Sequence, residues 1–209
     1  GDMGLLTEKV VAQFRQSFEG NPCDIMVLTG LYSGPAATNY YGRIVRVPAT
    51  DADGHPSGVA CDKVIEIREH KDILDLDPGE AYGAVYMGRT YSFTQRELLE
   101  KLEINTGVFA FKEAALRTYI QQIDTDNAQG ELMLTDLVEI FNRHRRVVRA
   151  AVAESEEEIL AFNNMSVWRH MQAIARRWAH DKLKDTITIV DETDFFFADE
   201  VIEQILSLY

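Results

Sequence analysis

Apolar positions along this chain recur at two spacings. Residues 8–19 carry Val10, Val11, Phe14 and Phe18 at the interval of a helix face, with Thr7 placed to cap the helix and Asn21-Pro22 to end it. Residues 24–31 (DIMVLTGL) are an unbroken apolar run of strand length, the pattern of a strand buried on both faces. A loop at 33–38, containing Gly34-Pro35, leads to an alternating strand over 41–47 (YGRIVRV). Asp51-Ala52-Asp53-Gly54 is a turn signal that sends residues 59–67 back as the second strand of a hairpin. Four polar residues, Glu69-His70-Lys71-Asp72, end that strand.

Residues 73–92 fit neither period well, although 84–93 has the makings of a further strand. Thr94-Gln95-Arg96-Glu97 has capping-box spacing and opens a helix to about Leu102. A strand over 104–111 (INTGVFAF) and an amphipathic helix over 112–123 follow. Next comes a polar loop, DNAQGELMLTD, over 126–136. In it Gly130 permits a tight turn, Asn127 and Gln129 can satisfy local backbone, and Thr135 or Asp136 can cap the next helix. A helix over 134–144, a strand over 147–152, a second capping box at Ser155–Glu158 and a longer helix over 166–183 complete this part. Strands interleaved with helices indicate an α/β fold with a largely parallel or mixed sheet. The final residues, 185–209, depart from it: Thr186–Val190 alternates and Phe195-Phe196-Phe197 is apolar, which reads as an appendage.

Composition narrows the function. A length of 209 residues suffices for one domain plus an appendage, and 46% hydrophobic with 26% charged residues is ordinary for a globular protein. The formal net charge of −13 argues against a nucleic-acid partner held through phosphates, but a bound divalent cation can reverse the field locally for a small phosphorylated substrate. Cys23 and Cys61 have no metal-ligand spacing and suit a reducing cytoplasm, and no run approaches the ~18 apolar residues of a membrane span. The chain is therefore expected to be cytoplasmic, without a membrane or nucleic-acid partner.

Several polar residues fall near the ends of predicted elements: Asp2, Glu69, Asn105 and Asn163. Ligands of open α/β sheets lie beyond the strand ends, and oxygen groups such as Asp2 and Asn163 suit magnesium. Arg143, Arg145, Arg146 and Arg149 with His144 form a basic cluster, which a helix C-terminus attracts without any ligand. Trp168 and Trp178, with Met171 and Ile174, have the spacing of a packing stripe.

Taken in order, the motifs Gly1-Asp2-Met3-Gly4-Leu5-Leu6, Tyr41-Gly42-Arg43-Ile44-Val45, Glu69-His70-Lys71-Asp72, Glu103-Ile104-Asn105-Thr106-Gly107, DNAQGELMLTD and Phe162-Asn163-Asn164 resemble one family. It is the bacterial N-acetylglucosamine-1-phosphate uridyltransferase family, the bifunctional UDP-N-acetylglucosamine pyrophosphorylases, in its sugar nucleotidyltransferase domain. The resemblance covers essentially the whole chain.

It implies a Rossmann-like nucleotide-diphospho-sugar transferase fold with a mixed sheet for residues 1–184. For residues 185–209 it implies the start of a left-handed β-helix-like region, a short β appendage. It further implies Mg2+ on Asp2 and Asn163, and sugar-phosphate binding by Gly42, Glu69, Asn105 and Thr135. The implied substrates are UTP and N-acetylglucosamine 1-phosphate, giving UDP-N-acetylglucosamine, a peptidoglycan precursor, and pyrophosphate. Another sugar 1-phosphate, or a non-catalytic sugar-phosphate-binding or oligomerisation module, is the alternative.

Some features depart from the family pattern. Gly4 stands where a proline is usual, Met165 where an arginine follows the paired asparagines, and the interval from Glu69 to Asn105 is long. The family's glycine-rich phosphate loop precedes the first residue here, so this piece alone is expected to be inactive. A sheet without those upstream strands is expected to self-associate as a homo-oligomer.

Overall fold

The computed structural model describes residues 3–162, 165–193 and 195–208, which form two compact units. Residues 8–156 make one; residues 1–7 and 157–209 make the other.

The first unit is α/β. Its five-stranded sheet has the order β3-β2-β6-β1-β7, from β1 (Ile25–Leu31), β2 (Arg43–Arg46), β3 (Val64–Arg68), β6 (Glu103–Phe111) and β7 (Val148–Val152). Only β1 and β7 run parallel, and β1–β6, β6–β2 and β2–β3 are antiparallel, so the sheet is mixed. β1 lies between two neighbours, and its first six residues are buried, as the unbroken apolar run requires.

Helices α4 (Glu113–Tyr119) and α5 (Asp136–Arg143) cover one face. Leu137, Val138 and Phe141 of α5 pack there with Ile25, Val27 and Ile44. Burying a side chain such as Phe141 contributes roughly 1.5–3 kcal/mol. Asn142, also buried, donates from Nδ2 to Val64 O (2.9 Å) and Ile65 O (2.6 Å), tying α5 to β3. Helix α1 (Glu8–Gly20) buries Val10 and Phe14, while Val11 is 48% exposed, so its apolar stripe is narrower than the spacing suggests.

Residues 73–92 resolve into something the single alternating run could not show. Helix α2 (His70–Leu74) is followed by a separate hairpin of β4 (Tyr82–Tyr86) and β5 (Arg89–Phe93). Met87 and Gly88 make its two-residue turn with φ of 51° and 80°, the conformation of a type I′ turn. Ala84, Tyr91 and Phe93 of this hairpin join Ile73 of α2 and Leu98 of α3 (Gln95–Leu99) in a second core against Val45 and Ile65. The long interval between Glu69 and Asn105 is thus a packed cover of the sheet. The Thr94–Glu97 capping box is present in full, with both reciprocal bonds. Strand β3 begins five residues later than its pattern predicts, because Gly58–Ala60 forms a 3-10 turn and Asp62 has φ of 67°.

The second unit is helical. Helix α6 (Met165–Leu183) buries Met171 and Ile174 with Leu5, and Trp178 packs beside them, as its stripe predicts; Trp168, expected in the same stripe, is exposed. Glu157–Ile159 is a 3-10 turn where the second capping box pointed to an α-helix. The described part of 185–209 contains no strand. Its helix α7 (Asp199–Ser207) buries Ile202 against Ala179 and Leu183, and Phe195 and Phe197 pack nearby, so the aromatic run serves a helical core. The short β appendage expected there is accordingly absent among the described residues. No helix among the described residues is long and apolar enough to cross a membrane.

Candidate functional site

Three sequence-distant motifs meet at the end of β2. Gly42 immediately precedes that strand, and its carbonyl accepts from Asn105 N at 2.8 Å. The Glu69 carboxylate lies over it: a Cβ at position 42 would stand 3.0 Å from Oε2 and 3.1 Å from Oε1. That approach explains the glycine. A methyl group there would force the carboxylate aside.

Asn105 owes its place to a bulge. Leu28 pairs with Val108 while the next residue, Thr29, pairs with Asn105, which leaves Thr106 and Gly107 as extra residues on β6. Gly107 has φ of 80°, and Asn105 Oδ1 accepts its N–H at 2.9 Å, while Thr106 Oγ1 donates to Leu28 O at 2.7 Å. The Ile-Asn-Thr-Gly run therefore encodes a local kink that brings Asn105 beside Gly42.

Glu69 sits just before α2 at its N-cap position without capping it by side chain. Burial, the largest influence, raises its pKa, and Asp72 and Asp136 push the same way; Thr135 and Arg43 oppose them. Thr135 likewise occupies the N-cap position of α5 with no side-chain cap bond. Its buried hydroxyl leans toward Glu69 enough to favour the charged carboxylate, yet falls short of a well-formed hydrogen bond to any protein group. Both residues stand where a cap would be and leave their side chains for each other or for a ligand.

The 126–136 loop is pinned to the 69–72 segment. Lys71 Nζ donates to Gln129 Oε1 at 2.9 Å, and Ala128 N donates to Asp72 Oδ1 at 2.7 Å. Asn127 satisfies the loop's own backbone, with Oδ1 accepting from Gln129 N (3.1 Å) and Glu131 N (3.3 Å). Gly130 adopts φ of 65°. A cleft of about 210 Å³ opens along these segments, with Glu69, Asp72, Thr135 and Asp136 among its walls.

Other groups have little warning in the sequence. Arg43 is fully buried; its guanidinium donates to Asn39 O at 2.6 Å and also to Tyr41 O, bracing the turn that carries Gly42. Burial lowers its pKa, and nearby Glu69 partly offsets this. Glu66, in the middle of β3, is buried with Oε2 accepting from Tyr82 Oη at 3.0 Å. Its sole advance sign is a carboxylate inside an apolar strand.

Asp2 and Asn163, the expected magnesium ligands, lie outside the described residues. The basic cluster disperses among local partners: Arg143 pairs with Glu139, Arg146 donates to Tyr119 Oη and Arg149 to Pro22 O.

No protein-family model matches the chain. Curated proteins do. The chain is 31% identical over 192 residues to the bifunctional protein GlmU of Corynebacterium efficiens, covering 91% of this chain and 32% of that protein. It is 33% identical over 196 residues to the protein of the same name from Streptomyces griseus, covering 91% and 33%. This chain is similar to one part of GlmU. The bifunctional protein GlmU of Clostridium tetani, 28% identical over 197 residues, extends the likeness to 94% of the chain. The chain spans about a third of the length of these GlmU proteins. The GlmU likeness agrees with the family that the motif order resembles.

Proposed function

We propose that this chain is the sugar-phosphate-binding part of a nucleotidyltransferase that makes UDP-N-acetylglucosamine and pyrophosphate from UTP and N-acetylglucosamine 1-phosphate. The observation that carries the reading is the convergence of Gly42, Glu69 and Asn105 from three separate motifs onto one place.

In this reading the Glu69 carboxylate accepts from sugar hydroxyls. Asn105, whose Oδ1 is occupied by Gly107 N, offers its Nδ2 donors, and the Thr135 hydroxyl supplies a further bond. Such buried polar groups discriminate between sugars because a partner lacking the matching group leaves them unsatisfied. A phosphate oxygen of the sugar 1-phosphate attacks the α-phosphorus of UTP, the new P–O bond forms as the bond to pyrophosphate breaks, and no protein nucleophile is needed. Holding the attacking group in line is the chain's contribution. Asp2 and Asn163 would hold Mg2+, which when bound neutralises charge on the phosphates.

Isothermal titration of the chain with N-acetylglucosamine 1-phosphate and magnesium tests this. Saturable binding that Asn105→Ala weakens at least tenfold is expected. Glucose 1-phosphate binding as tightly would instead favour a different sugar.

A further inference from the structure

We propose that Arg43 is a positioning residue of the sugar-phosphate site: its buried guanidinium supplies the positive charge that holds the Glu69 carboxylate ready as an acceptor. The proposal rests on the sugar-phosphate reading and extends it to a side chain that acts through another.

Arginine is almost never fully buried unless it is paired. Arg43, the first residue of β2, is 0% exposed. Its guanidinium donates to Asn39 O at 2.6 Å and to Tyr41 O, both neutral carbonyls, and its Nε has no hydrogen-bond partner. An uncharged amide side chain could brace those carbonyls equally well. A full positive charge taken out of water needs an anion to offset its desolvation.

Glu69 is that anion. β2 and β3 run antiparallel with Arg43 opposite Arg68, so Glu69, the next residue, comes to Gly42, with its Oε2 3.0 Å from where a Cβ would stand. Burial is the largest influence on both groups, raising the pKa of Glu69 and lowering that of Arg43, and each charge opposes this in the other.

The other groups around the pair do not supply a cation to Glu69. Asp72 of α2 and Asp136 of α5 push it toward the neutral form, while the Thr135 hydroxyl opposes them without carrying charge. His70 has its pKa lowered by burial and by Arg43, which keeps it neutral at pH 7, and its buried Nδ1 has no hydrogen-bond partner. Lys71 Nζ is turned to Gln129. Arg68 lies over the Tyr82 ring at 4.7 Å from its centroid, and its charge acts on Glu66 and Asp136. The Tyr32 phenol acts on Arg43 in the same sense as Glu69. Without Arg43, burial and two neighbouring carboxylates would keep Glu69 protonated to higher pH, and it would lose acceptor capacity toward sugar hydroxyls.

The carboxyl can be read directly. In protein isotope-labelled at the glutamate carboxyl carbon, the Glu69 resonance, assigned by its loss in Glu69→Gln, is titrated by NMR from about pH 4 to about pH 9. Its midpoint should rise by about one pH unit or more in Arg43→Gln and stay near that of the parent in Arg43→Lys, which keeps the charge. Arg43→Met serves as the neutral variant if Arg43→Gln does not fold. In isothermal titration with N-acetylglucosamine 1-phosphate and magnesium, the pH below which binding weakens should rise by the same interval in the neutral variant. An unmoved Glu69 midpoint in the neutral variant, an equal rise in Arg43→Lys, or an affinity loss equal at every pH would overturn the proposal, the last marking Arg43 as a loop brace only. A parent chain that binds no sugar phosphate fails the sugar-phosphate reading instead, and the carboxyl titration still decides whether Arg43 sets the charge of Glu69.

Discussion

Glu66 makes the stability of this protein depend on pH in an unusual direction for a carboxylate. Its pKa is raised from the ordinary 4.5 to about 7 in the folded chain, chiefly by burial. Below the lower value both folded and unfolded chains hold the proton, and Glu66 costs nothing. Between the two values the unfolded chain releases it first, so stability falls as pH rises, and above the upper value the full cost applies. At about 1.4 kcal/mol per pKa unit, that cost is on the order of 3 kcal/mol. Glu66→Gln should therefore gain stability over the parent between about pH 4 and about pH 8, read from urea denaturation in phosphate buffer. A constant difference across that range would show that Glu66 is not held neutral by burial. Gly42 is a second residue with a sharp consequence. Gly42→Ala would push against the Glu69 carboxylate at 3.0–3.2 Å and should weaken sugar-phosphate binding tenfold while leaving the melting temperature nearly unchanged.

At the scale of elements, α5 depends on Asn142 as much as on its apolar face. Removing that amide by Asn142→Ala takes a side-chain donor from the Val64 and Ile65 carbonyls in the core between helix and strand. A loss of about 1–3 kcal/mol is expected, against no change for exposed Arg143→Ala, measured by chemical denaturation. The strongly periodic elements, α1, β1, α5 and α6, were legible in the sequence because each buries one face or both. The β4–β5 hairpin was not, since its Met87-Gly88 turn lacks the usual Asn-Gly or Asp-Gly signal and the two strands run on as one alternating stretch. The candidate site divides the same way. Gly42, Glu69, Asn105 and Thr135 stand in short polar runs that motif order singles out. Glu66 and Tyr82 do not, and Arg43, although inside the Tyr41–Val45 motif, gives no sign there of its burial, because the importance of all three comes from partners fixed only by folding: Glu66 meets Tyr82 only once the hairpin is in place. Residues 186–190 alternate like a strand, yet Ile187 and Ile189 pack against a helical core; alternation alone cannot distinguish the two.

For the whole molecule, the open edge of β6 matters most. That strand pairs with β1 along its length but with β2 only through Ile104, so its second half leaves one edge without a ladder among the described residues. Unpaired strand edges invite pairing with another chain, and we infer that two copies associate through this edge. The net charge of −13 opposes association at low salt. Sedimentation velocity should therefore show a dimer fraction that rises with both protein and salt concentration; a monomer under all conditions would count against it.

Whether Gly42, Glu69, Asn105 and Thr135 together hold a sugar phosphate is decided by calorimetry on the chain. Titration with N-acetylglucosamine 1-phosphate and magnesium should give saturable binding, weakened at least tenfold by Asn105→Ala and by Glu69→Gln with melting temperatures unchanged. Absence of binding, or binding that both substitutions leave intact, would rule that site out.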